Sequence, residues 1–235
     1  MVKYVFIVTT GRSGSRLLAE IFDLSGFYVE YDEIEDNKGI FYESDEVNEI
    51  NYFIDQERKN LSFSYDKLDE YKSHKNELKE YKKKLDKKSK KEDISYVVIK
   101  DPRILYLIPF YRDVFQNSFF IHIIRDGRDY TISENEENKY YGKKEVDKNH
   151  LLKLWDHQMQ MVDEFRNKNW FYEIKFEELI ERPKDEMEKL LNFIGVKKEI
   201  KLPKIDSTKK NRYLNSDFNY DIDNVKWLEK LDYIK

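Results

Sequence analysis

Arginine, lysine and serine side chains gather in this chain where they can hold a phosphorylated ligand. Thr10-Gly11-Arg12-Ser13-Gly14-Ser15-Arg16 follows the apolar run Val5-Phe6-Ile7-Val8 and precedes Leu17, Leu18, Ile21 and Phe22 at helical spacing. The pattern predicts a buried strand, a tight glycine turn and a helix. Such a turn aims backbone N–H groups and the positive end of a helix at one spot, which binds phosphate. Gly11 and Gly14 let the backbone approach the anion closely, Ser13 and Ser15 supply hydroxyls, and Arg12 supplies a charged fork. A second group stands at Arg125-Asp126-Gly127-Arg128-Asp129, with Ser133 eight residues after Arg125. A helix starting near Asp129 brings the Ser133 hydroxyl and the Arg125 guanidinium to one anion. Lys100-Asp101-Pro102-Arg103 closes a further apolar run.

The first turn is not a nucleoside-triphosphatase loop. That loop needs G-x-x-x-x-G-K-[ST], whose lysine holds the outer phosphates and whose hydroxyl brings magnesium. Here two residues separate Gly11 from Gly14 and Ser15-Arg16 follows. The three-glycine dinucleotide fingerprint is absent as well.

The elements that must position these groups are strands alternating with helices. Apolar strands are predicted at Tyr96–Ile99, Phe119–Ile124 and Phe171–Phe176, with helical patterns at about 104–115, 151–165 and 185–194. This predicts an α/β fold: a parallel sheet flanked by helices, binding its ligand at the carboxyl ends of its strands. The whole chain, 1–235, reads as one domain. Residues 57–93 read as a charged helical insertion, with Leu68, Tyr71, Leu78, Tyr81 and Leu85 at helical spacing in a solvated segment. Trp227 and Leu228 are expected to dock the polar tail on the body.

The formal net charge of −4 gives no global basic field, which argues against nucleic acid as a partner. There is no cysteine, hence no disulfide, thiolate metal site or cysteine nucleophile. No histidine has a spaced metal partner, and no metal is expected. His122 falls inside a strand and is expected in the core. The apolar N-terminal run is too short to span a membrane, so no stable membrane anchor is expected and the location is read as cytoplasmic. A homodimer is compatible with the sequence.

With these motifs in this order, the chain resembles the PAPS-dependent sulfotransferases, which move the sulfuryl group of 3′-phosphoadenosine-5′-phosphosulfate (PAPS) to a hydroxyl or amine and release PAP. The resemblance runs from about residue 4 to residue 196 and implies a P-loop-like fold. It implies that Thr10 through Arg16 grip the 5′ phosphosulfate and that Arg125 and Ser133 grip the 3′ phosphate. The Arg-Asp-Gly-Arg run is similar to the tyrosylprotein and carbohydrate branches. Lys100-Asp101-Pro102 is similar to the segment whose lysine assists transfer in the tyrosylprotein branch. Ile174 through Ile180 with Arg182-Pro183, then Leu191 through Gly195, resembles the family's YEDL…P…FLG region. Phe176 stands there for the usual tyrosine near the adenine, keeping the ring and losing the hydroxyl. The family's basic loop near the C-terminus has Ser207-Thr208-Lys209-Lys210 as its nearest counterpart.

The implied chemistry is in-line sulfuryl transfer, with Arg12 and Lys100 neutralising charge and a glutamate as general base. The tyrosylprotein branch carries that base 21 residues beyond the loop arginine, which gives Glu33, with Asp32 as the runner-up. The acceptor class stays open among small molecules, carbohydrates, lipids and peptides. Two other readings stand beside this one: a noncatalytic PAP- or nucleotide-binding module, and a P-loop small-molecule kinase.

Overall fold

The apolar run at the N-terminus becomes β1 (Lys3–Val8), the middle strand of a five-stranded sheet. The computed structural model describes residues 2–32, 35–36, 39–55 and 57–234; the expected base, Glu33, lies outside them. The other sheet strands are β2 (Tyr28–Glu30), β5 (Tyr96–Lys100), β6 (Ser118–Ile124) and β7 (Phe171–Lys175). A separate two-residue ladder pairs β3 (Glu35–Asp36) with β4 (Gly39–Ile40). The sheet order is β2-β5-β1-β6-β7, and every pair is parallel. Register places Ile7 beside Lys100, Val8 beside His122, and Ile124 beside Lys175. The carboxyl ends of β1, β5, β6 and β7 therefore share one edge.

Side chains of β1 alternate between two covered faces, the signature of a sheet buried on both sides. Val5 and Ile7 pack with Leu18, Ile21 and Phe22 of α1 (Ser15–Leu24) and with Met187, Leu190 and Ile194 of α8 (Pro183–Ile194). Tyr4, Phe6 and Val8 face the opposite layer. That layer includes α3 (His74–Lys91) and α4 (Ile108–Val114). The expected helix at about 104–115 is a 3-10 turn over Pro102–Leu107 followed by α4.

The segment at 57–93 differs from its expected solvated character. Lysines 79, 83, 84 and 87 are exposed, but Leu68, Leu78, Tyr81 and Leu85 are buried and join the cluster around Phe6, Val97 and Phe115. Positions 78, 81 and 85 form one helical stripe, and α3 is the crossover that covers this side of the sheet on the way from β2 to β5. Each such leucine contributes about 1.5–3 kcal/mol by leaving water.

A third cluster joins Ile124 to Trp155 of α6 (Lys148–Met161) and to Trp227 and Leu228 of α9 (Lys226–Lys230), so the tail docks as expected. Among the described residues, no helix is long and apolar enough to cross a membrane.

Candidate active site

The turn after β1 is built from left-handed backbone. Gly11, Arg12 and Gly14 have φ values of 85°, 50° and 92°. Gly14 is the N-cap of α1 and offers no side-chain cap, so the first N–H groups of that helix stay available to an anion. Ser13 donates to the Gly11 carbonyl at 2.9 Å and lies 2.9 Å from the Thr10 hydroxyl, which fixes the curl of the loop. Gly14 is required by contact as well as by φ. A Cβ there would stand 2.2 Å from Cδ2 of Phe176, the first residue of α7 (Phe176–Glu181).

Arg125 leaves the end of β6 and turns under this loop. It is 4 % exposed, donates to the Arg12 carbonyl at 3.1 Å, bonds the Lys209 carbonyl, and reaches Asp129 at 3.4 Å. Its guanidinium lies 5.0 Å from the centroid of Phe176. Its Nε is buried with no hydrogen-bond partner. Burial pushes its pKa below the ordinary arginine value, with Asp129 opposing. An added anion would relieve both the desolvated charge and the orphaned donor. Asp126 caps α5 (Gly127–Tyr140) by accepting from Arg128 N–H, and that helix carries Ser133 to the same cavity.

Lys100 ends β5, is 3 % exposed, and places Nζ 2.5 Å from Oε1 of Glu43. Burial pushes its pKa below the ordinary lysine value, against the pull of Glu43. Asp101 is fully buried, accepts from Asn51, and holds Arg103 at 2.9 Å. Arg103 in turn bonds the Asn48 carbonyl and side chain on α2 (Asp45–Asn51), tying the strand end to the helix that follows Glu43.

These groups line one cavity of 760 Å³, the size of an ordinary ligand site. Gly11, Arg12, Gly14, Ser15, Arg16, Lys100, Arg125, Ser133 and Phe176 all contribute to it. Thr10 and Ser13 are buried behind the loop and shape it. The Arg12 side chain pairs with Glu137 at 2.5 Å and with Glu134 at 3.9 Å on α5. A larger hollow of 1130 Å³ lies elsewhere, between Tyr4, Lys82, Asp86 and Asn117, and none of these residues lines it.

Several contributors carried no clear mark in the sequence. Glu43 and Arg58 are lost among many charges, although Arg58 comes close enough that a Cβ on Gly11 would meet its Nη2 at 3.8 Å. Lys204 and Asp206 line the cavity from the C-terminal segment, together with Lys209 from the weakly marked Ser207–Lys210 stretch. Asp32, the runner-up base, accepts the Asp45 N–H at 2.6 Å and so serves the start of α2. His122 is a core histidine, fully buried with Nδ1 2.9 Å from Glu173. Among the described residues, no group of three or more His, Cys, Asp or Glu side chains is placed to hold a metal ion.

The sulfotransferase domain from the curacin biosynthetic pathway superposes with a TM-score of 0.67 at 16 % identity, covering 100 % of this chain and 99 % of that one. The sulfotransferase domain of the Synechococcus PCC 7002 olefin synthase gives 0.64 at 13 % identity, covering 99 % and 95 %. A comparison with curated proteins finds no match. The fold is thus the one these domains use. The model of the sulfotransferase family matches residues 5–199, and the chain belongs to that family.

Proposed function

We propose that the chain transfers the sulfuryl group of PAPS to a hydroxyl or amine acceptor by in-line displacement. The observation that carries the reading is the convergence of two anion-binding elements and one buried lysine on a single cavity. The loop from Thr10 to Arg16, with the α1 N-terminus, suits the 5′ phosphosulfate, and Arg125 with Ser133 suits the 3′ phosphate. The orphaned Nε of Arg125 fits a ligand of that charge. Phe176, held against Gly14, offers its ring near the adenine.

The reaction sets three demands. The acceptor must lose a proton, the sulfuryl oxygens need positive charge, and the departing phosphate needs neutralising. The loop N–H groups, Lys100 and Arg12 meet the last two in a buried setting, where fixed charges act more strongly than in water. Arg12 serves by exchanging Glu137 for the departing phosphate. The base belongs to the acidic stretch between β2 and α2, of which Phe41 and Glu43 line the cavity. The acceptor is a small molecule, carbohydrate, lipid or peptide, and the setting is cytoplasmic.

The test is calorimetric titration of the full chain with PAP, followed by transfer of labelled sulfate from PAPS. Saturable PAP binding that Arg125→Ala weakens at least tenfold is expected. Absence of PAP binding in the parent contradicts the reading.

A further inference from the structure

Beside the cavity lies a second cleft of 490 Å³ lined by Glu43, Asn48, Glu49, Tyr52, Asp55 and Arg103. Glu43, Asp55 and Arg103 line both spaces. Two of the three are committed to each other and to their neighbours. Arg103 holds Asp101 at 2.9 Å and lies 3.8 Å from Asp55, and Asp55 also pairs with Arg58 at 3.4 Å. Glu43 instead faces the buried ammonium of Lys100 with about a quarter of its side chain exposed.

The placement of Glu43 is held from both sides. Its carbonyl accepts the Asp32 N–H at 3.1 Å, and Asp32 in turn accepts the Asp45 N–H. Phe41, two residues before it, lies under the Arg16 guanidinium at 4.2 Å. Arg103 fixes Asn48 on the other side. The other described carboxylates of the cavity have different engagements. Glu134 and Glu137 face Arg12, Glu20 feels the charge of Arg16 one turn before it on α1, and Asp206 accepts from Thr208.

We propose that Glu43 is the general base of the transfer and that the second cleft is the route by which the acceptor reaches it. The assignment rests on the sulfotransfer reading above. In the step, Glu43 takes the proton of the acceptor hydroxyl, the acceptor oxygen bonds to sulfur, and the bond from sulfur to the 5′ phosphate oxygen breaks. The electron pair of that bond leaves on PAP. Protonation of Glu43 removes the charge that opposes Lys100, so the ammonium is released to the sulfuryl oxygens as negative charge builds there.

The test uses the full-length chain and its Glu43→Gln, Glu43→Asp and Glu33→Gln variants. The first arm is PAP affinity by calorimetry and needs no acceptor. Removing a negative charge beside Lys100 should tighten PAP binding about threefold or more in Glu43→Gln, because unit charges a few ångströms apart interact strongly near a protein surface. Glu33→Gln should bind as the parent does. The second arm is transfer from labelled PAPS to p-nitrophenol, which ionises unaided at mildly alkaline pH, and to methyl glucoside, which does not. Glu43→Gln should lose roughly 10²–10⁴ in rate with the unactivated alcohol and under tenfold with the phenol, with partial recovery in Glu43→Asp. Equal losses on both acceptors would show a merely structural role. Unchanged PAP affinity in Glu43→Gln, or the same selective loss in Glu33→Gln, overturns the assignment while leaving sulfotransfer standing. A parent that fails to bind PAP takes down the sulfotransfer reading and the assignment with it.

Discussion

Gly14 and Phe176 compete for the same space: the ring of Phe176 occupies the volume a side chain at residue 14 would need, 2.2 Å from Cδ2. Residues far apart in the chain thus close the anion loop on the ring that follows β7. Gly14→Ala should destabilise the protein by about 1–3 kcal/mol through overpacking, with a further cost for a side chain at φ 92°. Gly14→Ala combined with Phe176→Ala should recover the packing part and none of the backbone part. Thermal melts of the three variants separate the two contributions.

Arg125 and Arg12 should behave differently. Arg125 is buried beneath the loop with a donor to spare, so its loss should weaken PAP binding at least tenfold, since a hydrogen bond to a charged group contributes about 1.5–3 kcal/mol. Arg125→Lys should recover little, because a point charge cannot replace the fork. Arg12→Ala should lower transfer more than PAP affinity, because its charge matters most as the leaving phosphate develops. Calorimetry and turnover on the same preparations check both.

The crossover α3 should prove indispensable. Leu78→Ala or Leu85→Ala should each cost about 2–5 kcal/mol by opening a cavity against the sheet. Deleting about residues 60–90 should abolish the fold, because the layer over Phe6 and Val97 goes with it. A deletion variant with a cooperative melt near that of the parent would contradict this packing.

The residues that failed to announce themselves did so for a physical reason. Strands such as Ser118–Ile124 are legible because burial on both faces leaves a near-continuous apolar run. The loop after β1 is legible because glycine, serine and arginine at that spacing have few other uses. Glu43 is not, because its meaning lies in Lys100, 57 residues away, at the end of the strand that pairs with β2. The resemblance instead points to Glu33, with Asp32 as the runner-up, by its spacing from Arg12. The stripe of Leu78, Tyr81 and Leu85 is legible by its helical spacing, but its burial against the sheet is not, because the dense lysines around it report only the exposed side of the helix.

The pair His122–Glu173 should make the protein acid-sensitive. Burial alone would push the Glu173 pKa up, but hydrogen bonds from His122 and Arg166 outweigh it and hold the carboxyl at about 2. A carboxyl depressed in the folded state stabilises fully above its unfolded value of 4.5, and that stability is lost as pH falls toward 2. His122 acts in the same direction, since burial lowers its pKa below 6.5 and the unfolded chain takes up the proton first. Melting temperature should therefore fall steadily below pH 6.5. Glu173→Gln should melt below the parent at neutral pH, and the gap should narrow below pH 4.5 and close toward pH 2. A gap that stays constant with pH would contradict the assignment.

The central claim is that one cavity reads both a 5′ phosphosulfate and a 3′ phosphate, and thermal stabilisation by PAP against ATP without magnesium tests it most directly. At 100 times its dissociation constant a ligand adds about 2.7 kcal/mol of stability. PAP should give a shift of that size and ATP a much smaller one, with the difference erased in Arg125→Ala. Equal stabilisation of the parent by PAP and ATP would contradict the account.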